Sequence, residues 1–182
     1  SRRQRQMCIR DRVNHYTANR RRRSDDAYTP GGRHGMRPDY PTIVYSEILR
    51  KLYPDVPIIA GGIEASLRRL SHYDYWQDRL RPSIILDAPV DMIIYGMGEK
   101  PVVSIARRLE RGERIADIKD EPQTVIVTPR SEMPAVTDER NIVLASFEDC
   151  LRDKKLQAHN FKHIEIQSNM LDGGLTLWQA TG

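Results

Sequence analysis

Cysteine is nearly absent: the 182 residues contain only Cys8 and Cys150. Two thiols are too few for a disulfide framework or a Cys-rich metal site, so a reducing compartment, the cytoplasm, is the expected location. Long apolar runs are lacking too. The longest charge-free stretches, such as residues 56–63, fall far short of the ~20 apolar residues that a spanning helix needs. Asp87 and Asp91 interrupt the next best region, and no apolar core follows the basic N-terminus. Neither membrane insertion nor secretion is expected. Internal repeats and low-complexity tracts are also missing. What is present, 39% hydrophobic and 30% charged residues, suits one soluble domain or most of one. A chain of this length buries about 70% of its unfolded surface and needs no staple.

The formal charge of +4 sits at one end. Residues 1–12 carry Arg2, Arg3, Arg5, Arg10 and Arg12 against Asp11, and residues 13–182 are neutral overall. Nucleic-acid binding calls for a basic face rather than a basic tip, so this balance counts against it. Residues 1–12 show no helical or strand period and are expected to be a non-native or disordered tip outside the fold.

Residues 13–39 are polar and rich in turn formers, which reads as a long loop of the kind that is usually functional or disordered. Within it the run Arg20, Arg21, Arg22 and Arg23 either grips phosphate or is a solvated loop partly offset by Asp25 and Asp26. A helix should then start at Asp39 as cap, with Pro41 in its first turn, an apolar stripe of Ile43, Val44, Ile48, Leu49 and Leu52, and a stop at Pro54. Residues 56–60 read as a strand buried on both faces, ending at Gly61 and Gly62. A short helix over residues 63–70 follows, and Ile84, Ile85 and Leu86 fit either helix or strand. The next strand, residues 91–95, runs through Gly96-Met97-Gly98-Glu99 into a helix over 101–111 that Gly112 ends. Residues 124–127 and 141–144 are further strands. Residues 147–167 read as one long charged helix with an imperfect stripe of Leu151, Leu156, Phe161 and Ile164, and the end of the chain as a glycine turn entering a strand. Helix followed by buried strand predicts an α/β fold: a partial doubly wound, Rossmann-like, mostly parallel sheet with flanking helices.

Two strand-to-helix turns are the candidate working edge, because open parallel sheets bind ligands at the carboxyl ends of their strands. One carries Gly61, Gly62, Glu64 and Ser66. The other carries Gly96, Gly98 and Glu99. Glycines let an anionic ligand approach the free N–H groups of a helix start, although Glu99 opposes an anion and the same turn serves equally as a helix cap. Next to the first turn, Arg68, Arg69, His72, Tyr73, Tyr75 and Trp76 gather bases and aromatics, either to hold a polar cofactor or base or to form a packed corner. His159 and His163 are four apart, but two ligands without a third make no tetrahedral site, and His15 and His34 stand apart. No metal ligand and no catalytic residue is assigned.

The blocks Asn14-His15-Tyr16-Thr17-Ala18-Asn19-Arg20, Ser24-Asp25-Asp26-Ala27-Tyr28-Thr29-Pro30-Gly31-Gly32 and Arg37-Pro38-Asp39 are distinctive. With VPIIAGGIEASLRRL at 56–70, His72-Tyr73-Asp74-Tyr75-Trp76 and Ile94-Tyr95-Gly96-Met97-Gly98-Glu99, the sequence closely resembles the N-terminal region of bacterial YgiQ-type radical S-adenosylmethionine proteins. The likeness is strong over about 13–155 and looser over 150–182. It implies a large protein in which an α/β region similar to cobalamin-binding domains precedes a radical domain whose C-x3-C-x2-C triplet holds a four-iron, four-sulfur cluster. This chain has no such triplet and no Asp-x-His-x-x-Gly loop, so neither cluster ligation nor cobalamin binding carries over. The resemblance thus implies a fragment with no cofactor of its own: residues 13–146 a partial α/β domain, 147–182 a helical connector towards the missing radical domain. That domain and an unknown substrate are its expected partners. The competing reading is a non-catalytic nucleic-acid or nucleotide-binding α/β module, with the arginine run on phosphates and the aromatics stacking bases.

Overall fold

The computed structural model describes residues 16–17, 19, 21–168 and 175–182; the basic tip lies outside them. In chain order the elements are α1 (Pro41–Leu52), β1 (Ile59–Ala60), α2 (Gly62–Leu67), β2 (His72–Asp74), β3 (Arg79–Arg81), α3 (Ile84–Asp87), β4 (Met92–Ile94), α4 (Glu99–Glu110), β5 (Thr124–Val125), β6 (Asn141–Val143), α5 (Phe147–Arg152), α6 (Lys154–Ser168) and β7 (Thr176–Trp178). They divide into two compact units. One holds the described residues up to Arg69 together with Ser83–Val127, and the other holds Leu70–Pro82 and Thr128–Gly182.

The first unit is built on β4, whose alternating side chains are buried on both faces. Ile93 joins Ala65, Ile84, Ile85 and Ala88 on one side, and Met92 and Ile94 join Ile105 and Ile118 on the other. Strand β1 pairs with β4 in parallel, Ile59 opposite Met92. Strand β5 pairs antiparallel, Thr124 opposite Ile94. The sheet is therefore mixed rather than mostly parallel. The cause lies after Gly112, where Ile118, fully buried beside Met92 and Ile105, draws an irregular segment back across the α4 side. The chain thus re-enters the sheet at the end where β4 finishes.

The expected strand over 56–60 shrinks to Ile59–Ala60, and Val56 is 53% exposed. Pro57 has no N–H to give a ladder, and the Ile58 N–H is taken by the Asp91 side chain at 2.7 Å. Helix α1 has the expected length, but its cap is Tyr40; Asp39 instead accepts a hydrogen bond from the Tyr16 hydroxyl at 3.0 Å. Its expected core stripe is also turned. Ile43 packs on the core and Ser46 is buried, while Ile48 and Leu49 are close to half exposed and Leu52 is 64% exposed. Polar anchors set this orientation: Thr42 donates to Glu64 at 2.5 Å, and Arg50 donates to the Pro89 carbonyl and pairs with Asp91 at 2.7 Å.

The long polar loop is organised by a buried ion pair. Asp26 is 1% exposed and takes both arms of Arg37, from Nε and Nη2 at 2.8 Å each. It also accepts from the Tyr28 N–H, and the Arg37 guanidinium lies over the Tyr28 ring. Asp26 is therefore held by Arg37 inside the loop.

In the second unit β2 and β3 form an antiparallel hairpin, and β6 and β7 pair in parallel, Ile142 opposite Leu177. Ile142, Leu144 and Ile164 form its core with Leu70, Leu175 and Leu177. The expected single helix over 147–167 is broken. Asp153 adopts extended geometry after α5, and its carboxylate accepts the Lys155 N–H at 2.8 Å, opening α6. Asn160 and Ile164 face inward and Leu151 and Phe161 outward, so the expected stripe is only partly used. The expected boundary at 146/147 falls inside this unit, because β7 completes the β6 sheet. Side-chain amides lock the strand ends: Ser71 N–H donates to Gln179 Oε1 at 2.9 Å, Ser71 Oγ to Gln157 Oε1 at 2.8 Å, and Gln157 Nε2 back to the Ser71 carbonyl at 3.0 Å. Among the described residues no helix is long and apolar enough to cross a membrane.

Candidate functional site

Because β1 and β4 are parallel neighbours, both glycine turns emerge at one edge of the first unit. A direct bond ties them. Ser66 Oγ donates to the Gly62 carbonyl at 2.7 Å and accepts the Gly96 N–H at 3.1 Å. Gly62 and Gly96 both have positive φ, +86° and +68°, which a side chain would strain. Beside them the Arg69 guanidinium lies 4.7 Å over the Tyr95 ring and donates to the Ser66 carbonyl at 2.6 Å. The edge is thus an exposed glycine backbone bordered by a hydroxyl, an aromatic ring and one cation, with Glu99 exposed at the start of α4.

Glu64 and Arg68 occupy a different role. Glu64 is 1% exposed, receives Arg68 Nη1 at 2.7 Å and Thr42 Oγ1 at 2.5 Å, and so fastens α2 to α1. Arg68 is thus paired with a carboxylate of its own helix. Gly98 has a packing role as well: a Cβ there would lie 2.8 Å from Ile94 Cγ2, on a stiff, buried, β-branched side chain. Its bareness lets α4 start close against β4. Gly98→Ala should cost about 1–3 kcal/mol by overpacking, read as a shift in the urea midpoint. A midpoint equal to that of the parent chain would remove the close-approach argument.

His72, Tyr73 and Tyr75 belong to the second unit, so the expected cluster over 68–76 is divided between the two units. His72 Nδ1 lies 3.2 Å from the Leu70 carbonyl, Tyr73 hydroxyl donates to Asp78, and Tyr75 meets Trp76 edge to face at 6.1 Å. Sequence reasoning missed Gln123, which β5 pairing places beside Gly96: its carbonyl accepts the Tyr95 N–H at 3.0 Å, and its amide nitrogen would be 3.2 Å from a Cβ at Gly96. No local motif marks it. Only the tertiary pairing does.

Cys150 is buried and free. Asn160 Nδ2 donates to its sulfur at 3.2 Å, and burial, then Asp149, Asp153 and Glu148, push the thiol above its ordinary pKa. A protonated, enclosed thiol is a poor ligand and nucleophile. Native Cys150 should react with maleimide at pH 7 only after denaturation, scored by peptide mass; rapid labelling of the folded chain would contradict this. The His159 and His163 rings lie 6.2 Å apart on α6, and no group of three His, Cys, Asp or Glu among the described residues is placed to hold a metal ion.

The chain is 56% identical over 170 residues to a UPF0313 protein of Porphyromonas gingivalis, covering 93% of this chain and 26% of that protein. It is 54% identical to one of Bacteroides thetaiotaomicron, over 86% of this chain and 27% of that protein. A Geobacter sulfurreducens UPF0313 protein is 45% identical over 86% and 26%. The chain spans about a quarter of the length of these curated relatives. No solved structure gives a significant match. The family described as Radical SAM N-terminal matches residues 8–181, and with that coverage the chain belongs to the radical SAM N-terminal family.

Proposed function

We propose that this chain is the N-terminal part of a cytoplasmic radical S-adenosylmethionine enzyme of the YgiQ type, where it covers the radical domain and helps position a substrate of unknown identity. The observation that carries the reading is the family match over residues 8–181, joined to relatives about four times as long. The finer fold is a partial doubly wound, Rossmann-like sheet. Its support is the parallel β1–β4 pair with apolar clusters on both faces of β4. The working edge is Gly61, Gly62, Ser66, Arg69, Gly96, Gly98 and Glu99, with the Glu64–Arg68 pair holding α2 in place.

The described residues do not fit an iron–sulfur cluster. Cys150 is the one cysteine among them, and its sulfur is enclosed and protonated. No reaction step is routed through this chain, and cluster and S-adenosylmethionine belong to the remainder of the polypeptide. The test is anaerobic reconstitution of the intact protein with iron and sulfide, followed by S-adenosylmethionine and a strong reductant. Formation of methionine and 5′-deoxyadenosine is expected; a reconstituted protein that never cleaves S-adenosylmethionine overturns the reading.

A further inference from the structure

Helix α1 is amphipathic in the reverse sense. Tyr45, Ile48, Leu49 and Leu52 recur at helical spacing and make one apolar stripe. All four are exposed, from 39% at Tyr45 to 64% at Leu52. The side turned to the core carries Ile43, Ser46 and Arg50, held by polar bonds. A stripe of this kind exposed to water is the mark of an interaction surface.

The sheet of the same unit has an open side as well. Strand β1 lies at the end of its sheet, and among the described residues its outer edge pairs with no strand. Ile59 and Ala60 carry no charge to deter a neighbour. The occupant follows from chain length, because about three quarters of the relatives' length has no counterpart here.

We propose that the stripe and this edge are one docking surface, covered in the intact polypeptide by a further apolar β-strand from the portion that the relatives have beyond this chain. The strand hydrogen-bonds to the open edge of β1 and turns apolar side chains to Tyr45, Ile48, Leu49 and Leu52. The dimensions agree, since a helix about 10 Å wide covers two strands about 4.8 Å apart. The inner half of α1 meets the core through Ile43, and its outer half meets the added strand. The inference rests on the chain being part of a longer polypeptide and not on radical chemistry.

The intact protein provides the test without altering the surface. Amide hydrogen exchange at Ile59, whose N–H points away from the side on which Asp91 holds Ile58, should be slow, as in a paired central strand, and exchange at the rate of an open edge overturns the pairing. Single variants Ile48→Cys and Leu52→Cys should react with maleimide at least about tenfold more slowly than Lys51→Cys, which lies on the same helix off the stripe. Equal rates overturn the proposal. Protection that disappears on dilution as a sedimenting dimer becomes monomer also overturns it, in favour of a second copy. Cleavage of S-adenosylmethionine by the same preparation reports separately on the radical reading.

Discussion

Asp26→Ala should destabilise the first unit by about 3–5 kcal/mol, the cost of removing one partner of a buried ion pair. The Arg37 side chain that remains is 11% exposed, so water cannot replace the lost carboxylate. The Tyr28 N–H loses its acceptor as well. Urea unfolding gives the number. Asp26→Asn, which keeps an oxygen for Tyr28 and removes the charge, should fall between the parent and the alanine variant. Replacing Asp26 and Arg37 together with apolar residues should cost less than the sum of the single changes. An alanine variant with an unchanged midpoint would show that the loop does not depend on this pair.

Glu64→Ala is the second large effect, again about 3–5 kcal/mol, because it removes a buried carboxylate that accepts from both Arg68 and Thr42. The variant separates two roles for a residue in the candidate edge. As a fastener of α2 to α1, Glu64 should tolerate glutamine better than alanine, since glutamine still accepts from Thr42. Thr42→Val should cost about 1 kcal/mol, the worth of one hydrogen bond. If Glu64→Ala leaves stability intact and changes only ligand binding, the carboxylate is free to act at the edge and the fastening role is wrong.

What could be read from the sequence was local. The Met92–Ile94 run, the glycine pairs after it and the stripe on α4 marked a strand, a turn and a helix that the structure contains. Gly112 marked the end of that helix, and the parallel β1–β4 neighbours bring together the two turns that were picked out as one edge. Distinctive blocks along residues 14–99 carried the family, which residue matching confirmed. Orientation was not legible. Nothing local says that Arg50 would reach Asp91, 41 positions away, and turn Ile48, Leu49 and Leu52 outward. Nor does it say that Ile118 would bring β5 back antiparallel. The basic and aromatic cluster over 68–76 looks continuous in one dimension, yet its two halves belong to different compact units.

The amide lattice around Ser71 imposes an order of events on synthesis. Ser71 and its partner Gln179 are 108 positions apart. At about 5–20 residues per second, the β2–β3 hairpin leaves the ribosome roughly 5–20 s before the chain can supply Gln179 and β7. During that interval the first unit can close around β4, while the hairpin waits without the strand ends that secure it. The second unit is therefore the late-folding one, and a nascent chain paused before β7 would present that hairpin, rather than the β4 core, to chaperones and proteases.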